Sequence, residues 1–350
     1  NLKSSEFNDF DVMLCDKIIA YDHLKQKITV IVNMKTNDLE NQYNKAINDI
    51  DEIVKMINDP TPVSKLTSYK DVEFKSNFTE EEYADTVNKT KEYIFDGDIF
   101  QAVISRRFET KYEGSLLNAY RVLRVTNPSP YMVFMKIGEN EIISTSPETL
   151  VRYQNGRMTT FPIAGSRPRG KTEEEDIALE KDLLQDEKEL SEHNMLVDLG
   201  RNDIGKISKF NSVTVTEYMK VLRYSKIMHI CSEVQSDALD TVDSFDAIEA
   251  VLPAGTLSGA PKVRACEIIE ELEKCPRGIY GGAIGYIDFN GNMDTCIAIR
   301  MASKIKDKVY VQAGGGIVAD SIPHNEYMES YNKALAVMNA IKNAGEVEEV

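Results

Sequence analysis

The chain has 350 residues, enough for one large domain or two ordinary ones at roughly 100–200 residues each. It carries 41 Lys and Arg against 57 Asp and Glu. The formal charge of −16 argues against general binding to nucleic-acid phosphates and against an anionic membrane surface. A hydrophobic fraction of 42% reads as soluble and globular, and no apolar run approaches the ~20 residues that cross a bilayer. Gln26 to Met34 is rich in β-branched residues and predicts a strand. Thr36 to Asn58 has apolar residues three and four apart and predicts a helix. Thr79 to Asp96 predicts a second helix, because Thr79 is a candidate N-cap before three acids. Ile99 to Phe108 reads as a strand and Leu116 to Val125 as a helix stopped by Asn127-Pro128-Ser129-Pro130. Tyr131 to Ile137, Glu141 to Ser144 and Arg157 to Pro162 read as an antiparallel meander. Thr172 to Leu199 predicts one long charged helix. Strands follow at Ser212 to Val221 and Ile227 to Val234, then helices at Ser244 to Leu252 and Lys262 to Leu272. Gly281 to Asp288, Met293 to Ala302 and Val309 to Ala313 close the strands, and a helix runs from Pro323 to about Asn343. The sum is an α+β chain, expected as one compact body because no linker rich in Pro, Gly or Ser divides it.

Glu189 and Glu192 sit three apart on a predicted helix, as do Glu326 and Glu329, so each pair shares a face. Two such pairs facing each other would offer oxygen ligands to a hard cation such as Mg²⁺. Spacing alone does not establish this, because glutamates three apart occur five times in the chain and most such pairs are solvated faces. Gly314-Gly315-Gly316 could let backbone N–H groups approach an anion, and a plain turn is the blander reading. The segment from Pro253 to Ala265 resembles a phosphate loop only superficially, with the wrong glycine spacing and no Ser or Thr after Lys262. A flexible hydroxyl-bearing loop opening a helix remains, a place suited to a carboxylate. His229 lies on a predicted strand between two residues facing the other way, and a structural histidine is the commoner reading beside an acid or base. The five cysteines are scattered, form no C-x-x-C pair and sit in no G-x-C-x-G elbow. They fit free thiols in a reducing, cytoplasmic compartment, and any ammonia chemistry would need a separate glutaminase.

Eight segments in order resemble the chorismate-utilising enzymes, and most closely anthranilate synthase component I. They are G-D-I-F-Q-A-V-I-S-R-R-F (97–108), N-P-S-P-Y-M (127–132), S-P-E-T-L-V (146–151), F-P-I-A-G-S-R-P-R-G (161–170), D-E-K-E-L-S-E-H-N-M-L-V-D-L-G-R-N-D (186–203), P-A-G-T-L-S-G-A-P-K-V-R-A (253–265), G-G-G-I-V-A-D-S (314–321) and N-E-Y-M-E-S-Y-N-K-A (325–334). The resemblance implies two packed, mostly antiparallel sheets flanked by helices. It implies a Mg²⁺ cage of Glu189, Glu192, Glu326 and Glu329 for the ring carboxylate of chorismate. It places Gln101, Gly165, Tyr280, Arg300, Gly314, Gly315, Gly316 and Lys333 around the substrate and Thr256 near the reacting ring. Glu148 is implied as the acid for the departing hydroxyl and His229 as an aid to proton removal. Asn127, Pro128, Ser129, Pro130, Tyr131 and Met132 would be half of a tryptophan feedback site.

Within the family, isochorismate and salicylate synthases carry Lys where this chain has Gln101, and Gln cannot activate water. Aminodeoxychorismate synthase usually carries P-I-K-G where this chain has Pro162-Ile163-Ala164-Gly165. Both positions imply conversion of chorismate and ammonia to anthranilate and pyruvate, the first committed step to tryptophan. The ammonia would come from a partner glutamine amidotransferase subunit in a hetero-oligomer. Aminodeoxychorismate synthesis and a non-catalytic chorismate-binding remnant are the alternatives. Residues 1–75, which match the family only loosely, are expected to be a remnant of its N-terminal region, with residues 76–345 as the catalytic domain. The chain begins without Met, which reads as processing or a fragment.

Overall fold

Local signals start the elements where hydrogen bonding requires them. The computed structural model describes residues 5–61, 72–224 and 227–347. Residues 8–66 form one unit, in which β1 (Lys17–Asp22) pairs antiparallel with β2 (Lys27–Val32), followed by α1 (Leu39–Ile57). Lys17 bonds Asp49 of α1 at 2.8 Å.

The second unit holds the rest. It opens with β3 (Lys75–Ser76) and α2 (Glu80–Phe95). Thr79 accepts from the Glu82 backbone N–H at 3.2 Å while the Glu82 carboxylate accepts from that of Thr79 at 2.9 Å, so two orphan donors at the helix start are satisfied together. The chain continues through β4 (Gln101–Lys111), α3 (Leu117–Thr126), β5 (Tyr131–Ile137), β6 (Asn140–Ser146), β7 (Thr149–Gln154), β8 (Arg157–Thr160) and β9 (Ile163–Pro168). Then come α4 (Glu173–Leu183), α5 (Glu187–Gly205), β10 (Thr214–Arg223), β11 (Ile227–Asp237) and α6 (Ser244–Val251). A 3-10 turn (Gly255–Leu257) leads to β12 (Gly259–Ala260) and α7 (Lys262–Leu272). The last elements are β13 (Ala283–Ile287), β14 (Met293–Ile297), β15 (Met301–Ile305), β16 (Lys308–Ile317) and α8 (Pro323–Lys342).

The described strands of the second unit form two antiparallel sheets. One runs β10-β11-β8-β7-β14-β13, with β9 also on β11. The other runs β12-β4-β16-β15-β6-β5, with β3 on β4. Ile142 and Met301 of the second sheet pack with Ile284 and Cys296 of the first, so the sheets face each other. Helices cover the outer faces: α5 and α6 over the first sheet, α3 and α8 over the second, α2 and α7 against β4. This is the expected α+β architecture. Among the described residues no helix is long and apolar enough to cross a membrane.

Three departures from the sequence reading bear on the site. The long charged helix is two helices, because the Asp186 carboxylate caps a new start by accepting from the backbone of Lys188 and Glu189, and Arg167 bridges Asp182 to Asp186 across the break. The strand from Met293 to Ala302 is interrupted where Arg300 takes φ +49°. The glycine triplet is neither turn nor loop. It lies inside β16, with Gly314, Gly315 and Gly316 opposite Ser105, Ile104 and Val103 of β4.

Arg106 of β4 is fully buried and fastens α8. Its Nε donates to Ser330 Oγ at 2.8 Å and its Nη2 to the Tyr327 carbonyl at 2.7 Å, with the Tyr327 ring 3.7 Å from the guanidinium carbon. Thr79→Ala removes the reciprocal cap of α2 and is expected to cost about 1 kcal/mol, read as a lower urea midpoint with an unchanged slope.

Candidate active site

The site lies where β16, α8, α5, β9 and the 3-10 turn approach each other. The absence of side chains on the triplet makes that approach possible. A Cβ on Gly315 would stand 3.0 Å from Glu326 Oε2 and 3.4 Å from Glu329 Oε1, so backbone and carboxylates touch directly. A Cβ on Gly314 would strike the Ile104 carbonyl, and one on Gly316 would strike the amide of Gln101. Gly165, at φ +66° in β9, plays the same part for α5, since a Cβ there would lie 3.1 Å from Glu189 Oε2.

Lys333 is the central cation. Its Nζ lies 2.6 Å from Glu329 Oε1 and donates to the Gly314 carbonyl at 3.1 Å. Its field also reaches Glu148, Glu192 and Glu326. Arg300 Nη1 donates to the Lys333 carbonyl at 3.4 Å, and burial lowers its pKa from the ordinary value. Tyr280 is buried, so its hydroxyl is pushed up to about 12, while Arg277 and Arg300 pull the other way.

Glu148 sits in the turn between β6 and β7, and its carbonyl accepts from Ile297 at 3.0 Å. Burial raises its carboxyl to about 8, against the smaller opposing effects of the Thr256 hydroxyl and Lys333. It is therefore a neutral acid at pH 7, able to donate. Thr256 Oγ1 is buried in the 3-10 turn with no well-formed hydrogen bond of its own. The Pro253 to Ala265 segment is thus not an open loop but a 3-10 turn, the short strand β12 and the start of α7. Glu148, Thr256, Leu196, Gly200 and Val251 line a common cavity.

His229 of β11 points away from Met228 and Ile230, which are fully buried. Its Nδ1 lies 2.9 Å from the Gly165 carbonyl, which can only accept, so Nδ1 carries the proton and Nε2 is left with its lone pair. Burial lowers its pKa, which favours this neutral form.

The four glutamates share one field. Burial is the first cause raising Glu189, Glu192 and Glu326. Repulsion adds to it, from Asp186 and Glu329 on Glu189, from Glu189 and Glu329 on Glu192, and from Glu329 on Glu326. As the side chains stand, no three His, Cys, Asp or Glu groups among the described residues converge closely enough to hold an ion. Glu329 is drawn aside by Lys333. The donors are nonetheless hard oxygens crowded at a cost, which is the chemistry that suits Mg²⁺. Of the other three pairs, Glu267 and Glu270 lie on α7, Glu273 follows its last residue, and Glu349 of the 346/349 pair lies outside the described residues.

Asn127 to Met132 stands apart from this cluster, at the end of α3 and the start of β5. Its Tyr131 hydroxyl bonds Thr149, the residue after Glu148, at 2.8 Å and donates to Asp294 at 2.7 Å, and its Asn127 carbonyl accepts from Thr145 Oγ1 at 2.7 Å. The sequence reading counted Glu273 only among the glutamates three apart and gave no role to Arg277; the two form a charged pair four apart just past the end of α7.

Ionising Glu148 opposes folding, so stability falls by up to about 1.4 kcal/mol per pH unit as pH rises from about 4.5 to 8, and levels off above. Glu148→Gln removes this contribution, so the gap between variant and wild-type urea stabilities should widen in the variant's favour across that window.

The sequence matches the family described as chorismate binding enzyme over residues 1–339. It is 52% identical over 343 residues to anthranilate synthase component 1 of Acetivibrio thermocellus, covering 96% of this chain and 69% of that protein. It is 50% identical to the component 1 of Aquifex aeolicus, covering 97% and 70%. The crystal structure of anthranilate synthase component I from Streptococcus pneumoniae superposes with a TM-score of 0.87 at 41% identity, covering 97% of this chain and 76% of that one. The chain belongs to the chorismate binding enzyme family, in its anthranilate synthase component 1 group.

Proposed function

We propose that this protein converts chorismate and ammonia to anthranilate and pyruvate. The observation that carries the reading is Glu148, a buried carboxylic acid kept protonated near neutrality beside the Thr256 hydroxyl and within the field of Lys333. In the proposed reaction ammonia adds to the ring, and the ring hydroxyl leaves as water with the proton of Glu148. The ring then loses a proton and expels the enolpyruvyl group as pyruvate, becoming aromatic. His229, neutral with Nε2 free, accepts a proton in that second step. Thr256 orients the reacting ring with its buried hydroxyl, beside Glu148.

Lys333, Arg300, Tyr280 and the backbone of Gly165 and Gly314 to Gly316 hold the substrate carboxylates. Gln101, packed on Gly316, offers an amide where a water-activating lysine would redirect the chemistry. Glu189, Glu192, Glu326 and Glu329 would hold Mg²⁺. When bound, the ion supplies positive charge for the ring carboxylate and relieves the crowding of the glutamates. A glutamine amidotransferase subunit is the proposed ammonia source, in a hetero-oligomer, and the cytoplasm the proposed location. Ala164 is buried opposite Ile230, so no basic side chain stands where aminodeoxychorismate synthesis would need one.

The test incubates the protein with chorismate, Mg²⁺ and an ammonium salt and follows anthranilate fluorescence. The expected signal disappears when a chelator removes the ion. Chorismate consumed without fluorescence would overturn the assigned product, and untouched chorismate would favour a binding protein. Glu192→Ala and Glu329→Ala should each lose activity by a hundredfold or more with the fold kept. Ala164→Lys should divert product toward aminodeoxychorismate, which chromatography of the reaction mixture detects.

A further inference from the structure

Behind the site lies a buried ion pair whose hydrogen bonds reach site-bearing segments. Glu273, the residue that ends α7, is 4% exposed at its side chain, and Arg277 is 18% exposed. The guanidinium grips the carboxylate with both edges of its fork, Nε to Oε2 at 3.0 Å and Nη2 to Oε1 at 2.6 Å. Its remaining bonds go to backbone carbonyls. Nη1 donates to Leu257, next to Thr256, and Nη2 donates to Val103, two residues after Gln101, at 2.6 Å. The guanidinium carbon stands 5.8 Å from the centroid of the Tyr280 ring. Glu273 Oε1 in turn accepts from the backbone N–H and the hydroxyl of Ser105 at 2.7 and 2.8 Å. Ser105 Oγ accepts from Gln312 Nε2 at 2.8 Å, two residues before Gly314.

A buried ion pair is a weak source of stability, since its desolvation offsets most of its attraction and an apolar pair of equal volume does as well. What an apolar pair lacks is directed bonding to two carbonyls on different segments. All three guanidinium nitrogens of Arg277 donate to protein acceptors, four hydrogen bonds in all, so its part is to hold other groups rather than to meet substrate. We propose that Arg277, oriented by Glu273, is a positioning residue that fixes the Thr256 turn, the Gln101 strand and Tyr280 in register around the substrate. This rests on the function proposed above and adds to it a pair outside the eight segments that carry the resemblance.

Arg277→Lys keeps the charge but not the fork, so one ammonium cannot span Glu273, Leu257 and Val103 together. Glu273→Gln keeps the shape and one acceptor while removing the carboxylate. Both variants are compared with the wild-type protein by thermal melting and by kcat and KM for chorismate. In Arg277→Lys the expected result is a Tm within a few degrees of wild type and a kcat/KM at least tenfold lower, carried mainly by KM. Glu273→Gln should show a smaller loss of the same kind. A folded Arg277→Lys with kcat/KM within twofold of wild type overturns the proposal. So does a lowered Tm with unchanged KM, the mark of a purely structural pair. If Arg277→Lys does not fold, Glu273→Gln decides by the same criteria. Should the wild-type protein bind chorismate without making anthranilate, the function proposed above fails by itself. Chorismate affinity by calorimetry on the same variants then decides the positioning role, with a tenfold loss supporting it and no change refuting it. A wild-type protein that neither binds nor converts chorismate removes both.

Discussion

Strand β16 can pass through the middle of the site because three successive residues carry no side chain. On one side it keeps its ladder with β4, and on the other it lets carboxylates of α8 stand against its backbone. Any larger residue at Gly315 would have to push Glu326 and Glu329 away. At Gly314 it would part the strands themselves. The placement of Lys333 follows from the same closeness, since its ammonium reaches the Gly314 carbonyl from the helix.

The chain's excess of acid first seems a poor setting for an anionic ligand. In the proposed reading the answer is local. Burial and neighbouring carboxylates raise Glu189, Glu192 and Glu326, a cost that a bound cation would relieve, while Lys333 and Arg300 supply fixed positive charge nearby. Burial acts in opposite directions on Glu148 and His229, holding the first protonated and the second neutral. In the proposed reaction, one physical cause thus prepares both the proton donor and the proton acceptor.

Elements with a strong local signal were legible in the sequence. Helix α7 occupies the span its residues suggested, and α2 starts at the capping threonine. Features decided by tertiary contact were not. Nothing in G-G-G distinguishes a turn from a strand that must tolerate close neighbours. The break between α4 and α5 depends on an aspartate that in a sequence could as well sit mid-helix. Strands β7 and β9 were passed over, the second because Pro162, which cannot donate to a ladder, separates it from β8 and makes the stretch read as a loop. For the site, ordered motifs pointed to the residues, but only the fold brings Glu148, on one side of the chain's midpoint, to Thr256 and Lys333 on the other.

The attachment of α8 through Arg106 has a mechanical consequence. The two bonds lie at Tyr327 and Ser330, between and just beyond the glutamates at 326 and 329. A helix moving along its axis by a single residue travels about 1.5 Å, which would break both bonds and drag a buried guanidinium out of its aromatic surroundings. Axial sliding is therefore opposed where the carboxylates are. The far end of the helix is fixed as well, because Val337, Met338 and Ile341 are buried in one core cluster with residues of α3 and β16. The height of Glu326 and Glu329 along β16 is thus set by an arginine of the neighbouring strand.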